Sequence, residues 1–176
     1  ADILWNIDLK TNDLKKEGFS KYQVIVHWLV ACFVLFQIAT GSTISNDFLA
    51  LKDGKISIEE VHKNSWYHLF FGLTIFLLMV IRFILRIILG VPKPTKQSSS
   101  ITIILAKIIH WLFYLILFVV PISGFVAWNT SNLLIGNLHT ASVNALYVLV
   151  LIHLIAIVYH QIFLEDNLID RMTSFK

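Results

Sequence analysis

The stretch that decides the fold reads His139-Thr-Ala-Ser-Val-Asn-Ala-Leu-Tyr-Val-Leu-Val-Leu-Ile-His153. Its two histidines lie 14 residues apart at the ends of a run without a formal charge. At about 100° and about 1.5 Å per residue, a helix returns the second imidazole to within about 40° of the first and moves it about 21 Å along the axis. The pattern predicts one helix with two imidazoles on one face, at two depths, each of which needs a partner from elsewhere in the chain.

The composition of the chain indicates a membrane protein. Its 176 residues are 57% hydrophobic and only 14% charged, whereas a soluble domain carries about 25% charged residues. No basic patch lies outside the flanks of the apolar segments, so we do not expect a nucleic-acid partner. We predict an all-α protein, a transmembrane four-helix bundle in the lipid bilayer.

Four apolar segments are long enough to cross a bilayer, which takes about 20 residues in a helix. The predicted domain covers residues 21–176 and follows a polar or weakly amphipathic segment at residues 1–20. The predicted spans are residues 22–44, 67–90, 101–128 and 139–163. A capping-box pattern at residues 57–60 predicts a short helix over residues 58–63, and residues 129–138 are predicted to be a short link.

The placement of positive charge predicts the orientation. Four spans put both termini on one side of the membrane, and 11 of the 14 Lys and Arg residues lie on that side. The opposite side has only Lys52, Lys55 and Lys63. By the positive-inside rule, both termini are predicted to be cytoplasmic.

The alternating direction of the spans gives each histidine a depth. His27 and His153 fall at the inner level, and His68 and His139 fall at the outer level. A polar ring inside hydrocarbon is costly without a partner, and a haem iron takes two axial ligands. The two level pairs therefore predict two haems with bis-histidine ligation, stacked across the bilayer. Such ligation leaves no open iron position, which favours electron transfer over oxygen binding.

Glycines and an arginine are predicted to support these groups. Gly41 and Gly124 lie 14 residues after His27 and His110, at the outer level, and would let a flat ring approach the helix backbone. Ordinary packing of small residues is the alternative. Arg82 is predicted to pair with a haem propionate, with a snorkelling role at the inner face as the alternative.

Three further histidines remain without a firm role. His62 lies in the outer loop and is an alternative outer ligand. His110 and His160 lie at the inner face without an evident level partner. They are predicted to meet propionates, a quinone or water, or to be simply interfacial.

Several motifs, in a defined order, carry a family resemblance over about residues 20–174. They are Tyr22-Gln-Val-Ile-Val-His-Trp-Leu29, His68-Leu-Phe-Phe-Gly72, Val80-Ile-Arg-Phe-Ile-Leu-Arg86, His110-Trp-Leu-Phe-Tyr114, Pro121-Ile-Ser-Gly124, His139, His153 and Asp166-Asn-Leu-Ile-Asp-Arg-Met172. Together they resemble the bacterial cytochrome b561 family, small four-helix dihaem cytochromes of the inner membrane.

The resemblance implies two haem b groups with the same ligands that depth predicts. His27 and His153 form one pair, and His68 and His139 form the other. It also implies a multi-pass protein of the bacterial inner membrane that exchanges electrons with a membrane quinone as its substrate. Some members resemble superoxide:ubiquinone oxidoreductases, so the partner at the outer face is either superoxide or a redox protein.

Two other functions stay open at this point. The chain is alternatively a haem-bearing anchor subunit of a larger redox complex that faces the periplasm. A third hypothesis is a haem-free transporter or proton pathway. It is disfavoured because no predicted span contains an acidic residue that could take part in a proton relay. Whether the chain is an enzyme by itself, and which residues would be catalytic, is left open.

Overall fold

A computed structural model describes residues 18–94, 99–165 and 168–173. Within these ranges the chain is helical and contains no strand. The elements are α1 Lys21–Lys52, a short 3-10 helix Ile58–Glu60, α2 Lys63–Leu89, α3 Ser100–Thr130, α4 Leu133–Phe163 and α5 Leu168–Thr173. The four long helices are apolar enough to cross a membrane, which confirms the predicted all-α, four-helix class. Most of the predicted N-terminal segment, residues 1–20, lies outside the described residues.

The long helices contain the predicted spans almost completely and continue beyond several of them. α1 runs on to Lys52, and α4 already begins at Leu133. The predicted link over residues 129–138 is therefore mostly helical, with only Ser131 and Asn132 between α3 and α4. Ser131 takes a left-handed φ of 51° at the end of α3, and the Asn132 side chain accepts hydrogen bonds at the start of α4. Apolar composition marks a membrane crossing, whereas these caps mark where a helix ends.

Neighbouring helices in the chain are also neighbours in space. α1 packs against α2, α2 against α3, and α3 against α4. We call the end of the bundle where α1 begins and α4 ends the termini end. The opposite end, where α1 leads into α2 and α3 into α4, is the hairpin end.

The core between the helices is small and lies between the two ends. It consists of Val26, Val30, Ile75, Met79, Tyr114, Leu117 and Leu146. Many large apolar side chains point outward instead, with Leu134 78% and Ile88 71% exposed. In lipid, such faces meet hydrocarbon, so packing and hydrogen bonds between helices have to hold the bundle together.

Hydrogen bonds tie the termini end. Ser20 and Gln23 form a capping box at the start of α1, and Gln23 Nε2 donates to the Gly90 carbonyl at 2.9 Å. Gly90 follows α2 with a φ of 71°, a conformation that favours glycine. Trp28 Nε1 donates to the Met172 carbonyl at 2.7 Å, which attaches α5 to α1.

A buried carboxylate ties the hairpin end. Asp47 near the end of α1 is 2% exposed. It accepts hydrogen bonds from the backbone N–H of His62 at 2.9 Å, from His62 Nδ1 at 2.7 Å and from Ser65 Oγ at 2.7 Å. The end of α1 thus satisfies donors at the start of α2, where a helix lacks partners of its own.

Replacement of this carboxylate should loosen the hairpin end. Asp47→Ala leaves the hydroxyl of the fully buried Ser65 without its acceptor, and a buried unsatisfied group costs about 1–3 kcal/mol. We expect a lower midpoint of thermal unfolding in detergent, followed by circular dichroism. Asp53→Ala is the control, since Asp53 pairs with Lys55 at an exposed site where ion pairs contribute little. Equal midpoints for the two variants would contradict this role.

Candidate functional site

The two histidines predicted for the outer level face one cavity near the hairpin end. His68 on α2 and His139 on α4 both line a cavity of about 520 Å³. Its walls come from all four long helices and are mostly apolar, and they include Gly41 and Gly124. The structure therefore brings together the four residues that the sequence predicts for this level.

A backbone carbonyl orients the ring of His139. Its Nδ1 lies 2.8 Å from the Val120 carbonyl oxygen on α3. Because a carbonyl oxygen can only accept, Nδ1 carries the proton, and the neutral ring keeps a lone pair on Nε2. His139 thus has the tautomer that a metal ligand bound through Nε2 requires.

The glycines around this cavity have different neighbours. A Cβ on Gly124 would lie 2.9 Å from both Cε1 and Nδ1 of His139, so only glycine lets this ring reach the Val120 carbonyl. A Cβ on Gly41 would meet nothing within 4 Å. Gly124 therefore admits the histidine ring, whereas Gly41 borders open space.

Two polar side chains from α1 hold His68. Thr40 Oγ1 lies 3.0 Å from His68 Nδ1, and Gln37 Nε2 donates to the His68 carbonyl at 2.8 Å. Neither residue is among those predicted from the sequence for this site. Their signal is present in the sequence, because two polar residues three positions apart share one face of an otherwise apolar span.

The two histidines predicted for the inner level meet near the termini end. The ring centroids of His27 on α1 and His153 on α4 lie 6.5 Å apart, with the planes at 70°. Phe113 packs edge-on against His153, with centroids 5.4 Å apart. The pairing predicted from depth is therefore present as a contact between rings.

His110 belongs to the same group. For this residue the sequence suggested no level partner, yet its ring centroid lies 6.1 Å from that of His153. Its Nδ1 is 2.6 Å from the Ala106 carbonyl on its own helix. Across the described part of the chain, no three His, Cys, Asp or Glu side chains are arranged to hold a metal ion. The rings of His27, His110 and His153 lie together near the termini end.

The arginines and the remaining loop histidine have protein partners. Arg82 Nη1 lies 2.7 Å from His27 Nδ1, so the guanidinium is in the predicted region. Arg86 lies over the ring of Trp111, 5.5 Å from its centroid. His62 pairs with Asp47, and its side chain is 70% exposed, which leaves it directed to the surface.

Comparison with known proteins gives a consistent result. Residues 18–175 match the family described as prokaryotic cytochrome b561. A protein named cytochrome b562 from Cereibacter sphaeroides is 29% identical over 159 residues, which cover 90% of this chain and 96% of that protein. A protein named probable superoxide oxidase CybB from Yersinia pestis is 24% identical over 179 residues, which cover 90% of this chain and 97% of that protein.

The match extends over all four long helices and includes both histidine pairs. It agrees with the apolar helices and with the resemblance found in the sequence motifs. The family name implies haem b as the cofactor. The chain belongs to the prokaryotic cytochrome b561 family and is a membrane cytochrome.

Proposed function

We propose that this protein is a dihaem cytochrome of the bacterial inner membrane, which transfers electrons between a partner at the hairpin end and a membrane quinone. The observation that carries the proposal is the presence of two histidine pairs near opposite ends of one bundle. His27 and His153 form the termini-end pair, and His68 and His139 form the hairpin-end pair. Each bound haem supplies a reversible one-electron iron couple.

The donor sets fit such a group. The rings of His27 and His153 are 6.5 Å apart, a spacing at which both imidazoles would be within reach of one haem iron. At the hairpin end, the cavity of about 520 Å³ has a mostly apolar wall and a glycine with open space in front of it. A flat, apolar macrocycle with two imidazole ligands matches both sites.

The residues at the hairpin end orient the ligands and exclude water. The Val120 carbonyl accepts a hydrogen bond from Nδ1 of His139, which orients the ring and leaves its Nε2 unprotonated. The apolar wall lowers the local dielectric, which is one of the ways a protein sets a redox potential.

At the termini end, we propose that Arg82 binds a haem propionate. A guanidinium is only a donor, and it lies on His27 Nδ1. A neutral His27 that gives Nε2 to iron needs its own proton on Nδ1. Arg82, which also bonds to Tyr114, then loses His27 as an acceptor, and a propionate carboxylate is a suitable replacement.

The charge distribution supports an orientation with both termini in the cytoplasm and the hairpin end toward the periplasm. The hairpin end has no surplus of free positive charge to steer an anion. Lys55 pairs with Asp53 at 2.9 Å, and Glu59 and Glu60 are exposed nearby. We therefore favour a redox protein as partner there, with superoxide as the second candidate because a relative is named a probable superoxide oxidase.

Haem content tests the ligand assignment. We expect two haems per wild-type chain and one in His68→Ala, because one axial bond at the hairpin end is lost. The measurement is haem quantitation together with the reduced-minus-oxidised visible spectrum. His62→Ala is the control and should keep both haems, since His62 is 70% exposed and pairs with Asp47. A single haem in the wild type, or two in His68→Ala, would overturn the assignment.

A glycine substitution tests the hairpin-end site without touching a ligand. Gly124→Ala puts a Cβ 2.9 Å from two atoms of the His139 ring, so the ring must move and the affinity for one haem should fall about 10–100-fold. Gly18→Ala is the control, because an added Cβ there meets nothing within 4 Å and Gly18 does not line the cavity. Haem retention during dilution and washing in detergent measures the difference. Equal retention in both variants would argue against this role of Gly124.

Electron exchange with quinone tests the function itself. In liposomes, added ubiquinol should reduce the b-type absorbance bands in stopped-flow measurements, and the rate should drop in His153→Ala, because the termini-end haem would lose a ligand. A superoxide generator, with and without superoxide dismutase, tests the second donor. The proposal fails if the bands do not respond to quinol or quinone. Full haem content and quinone exchange in an isolated 20.2 kDa chain would exclude an obligatory anchor role.

A further inference from the structure

We propose that Thr40 is a positioning residue for the hairpin-end haem. Its hydroxyl oxygen accepts a hydrogen bond from the Nδ1–H group of His68 and so directs the lone pair of Nε2 to the iron. This inference rests on the proposed function, in which His68 is an axial ligand. It concerns a residue of α1, a helix that gives no ligand to this site.

The direction of the hydrogen bond follows from the neighbours of the hydroxyl. Thr40 is 5% exposed, and its Oγ1 lies 3.2 Å from the Phe36 carbonyl and 3.4 Å from the Gln37 carbonyl. A hydroxyl has one proton and two lone pairs, and a carbonyl oxygen only accepts. The Thr40 proton therefore goes to its own helix, as is common for threonine in helices. Its oxygen is left to accept from His68 Nδ1 at 3.0 Å.

The backbone beside His68 is held from the same helix. Gln37 Nε2 donates to the His68 carbonyl at 2.8 Å. This approach passes over Gly72, where an added Cβ would lie 3.3 Å from the amide nitrogen. α1 therefore fixes both the backbone and the ring of His68, which restricts the ring to the orientation that Thr40 accepts.

Both proposed ligands at the hairpin end then donate a hydrogen bond from Nδ1. His139 donates from Nδ1 to the Val120 carbonyl, and His68 donates to the Thr40 hydroxyl. An acceptor at Nδ1 makes the ligand nitrogen a better electron donor and orients the ring. Loss of this acceptor should weaken haem binding at this site and favour the reduced iron.

The test compares substitutions at two threonines. Thr40→Val has nearly the same shape but no acceptor, and Thr40→Ser restores the hydroxyl. Thr74→Val is the control, because Thr74 bonds to the Phe70 carbonyl at 2.9 Å in the same way and does not line the cavity. Redox titration followed in the visible spectrum, with electron paramagnetic resonance of the ferric protein, reports on each haem separately.

In Thr40→Val, the equilibrium constant for reduction of one haem should rise about tenfold, which is about 59 mV for one electron, and that haem should be lost more readily. The other haem should keep its potential, and Thr40→Ser and Thr74→Val should resemble the wild type. If Thr40→Val does not accumulate in membranes, Thr40→Ala serves with the same expected shift.

Two results would overturn the inference. One is a Thr40→Val or Thr40→Ala protein with wild-type potentials and haem retention. The other is a Thr40→Ser protein whose potential is shifted as far as that of Thr40→Val, since the shift would then not depend on the hydroxyl that serine keeps. His68→Ala separates these from failure of the proposed function. If it keeps both haems, the ligand assignment is wrong, whereas loss of one haem with an unshifted Thr40→Val removes only the role of Thr40.

Discussion

The cost of an unpartnered polar group in hydrocarbon is the constraint on which this structure depends. Water is absent from the bilayer core, so each imidazole and each free donor has to find a partner within the protein. The bundle meets this requirement in two layers, with His27 and His153 at one end and His68 and His139 at the other. Between the layers lies the hydrophobic core, whose members include Val26, Met79 and Leu146. The imidazoles of the four predicted ligands thus lie at two depths of the bundle.

The same constraint explains how the helices are joined. Burial of apolar area cannot drive association in lipid, since hydrocarbon is as apolar as the helix faces. The ties are polar and local: Gln23 with Gly90 at the termini end and Asp47 with His62 and Ser65 at the hairpin end. Within the membrane-crossing part, Gln37 and Thr40 join α1 to α2 through His68. These ties also set the rotation of α1 and α2 relative to each other, and therefore the direction of the His68 ring.

Much of the fold could be predicted from the sequence, because apolar length and charge placement dictate which segments cross a membrane. The pairing of His27 with His153 followed from depth alone. The helix ends did not, since α4 begins at Leu133 through a cap on Asn132 and not where the apolar run begins. The contacts of His110 and Thr40 were also out of reach. Depth assigns a level, but only the packed helices decide which side chains at one level touch.

The two ends of the bundle differ in how completely protein groups orient the histidine rings. At the hairpin end, the acceptors of both Nδ1 protons are fixed parts of the fold, a backbone carbonyl for His139 and a buried hydroxyl for His68. At the termini end, His27 faces the guanidinium of Arg82, which only donates. Under the proposed function, the hairpin-end site is preorganised and the termini-end site is completed by the cofactor's own carboxylates. Leu146, seven residues from each histidine of α4 and 5% exposed, lies in the packed layer that separates the two. The distance between the haems is then a property of the rigid core, whereas the affinity of each site depends on its own end of the bundle.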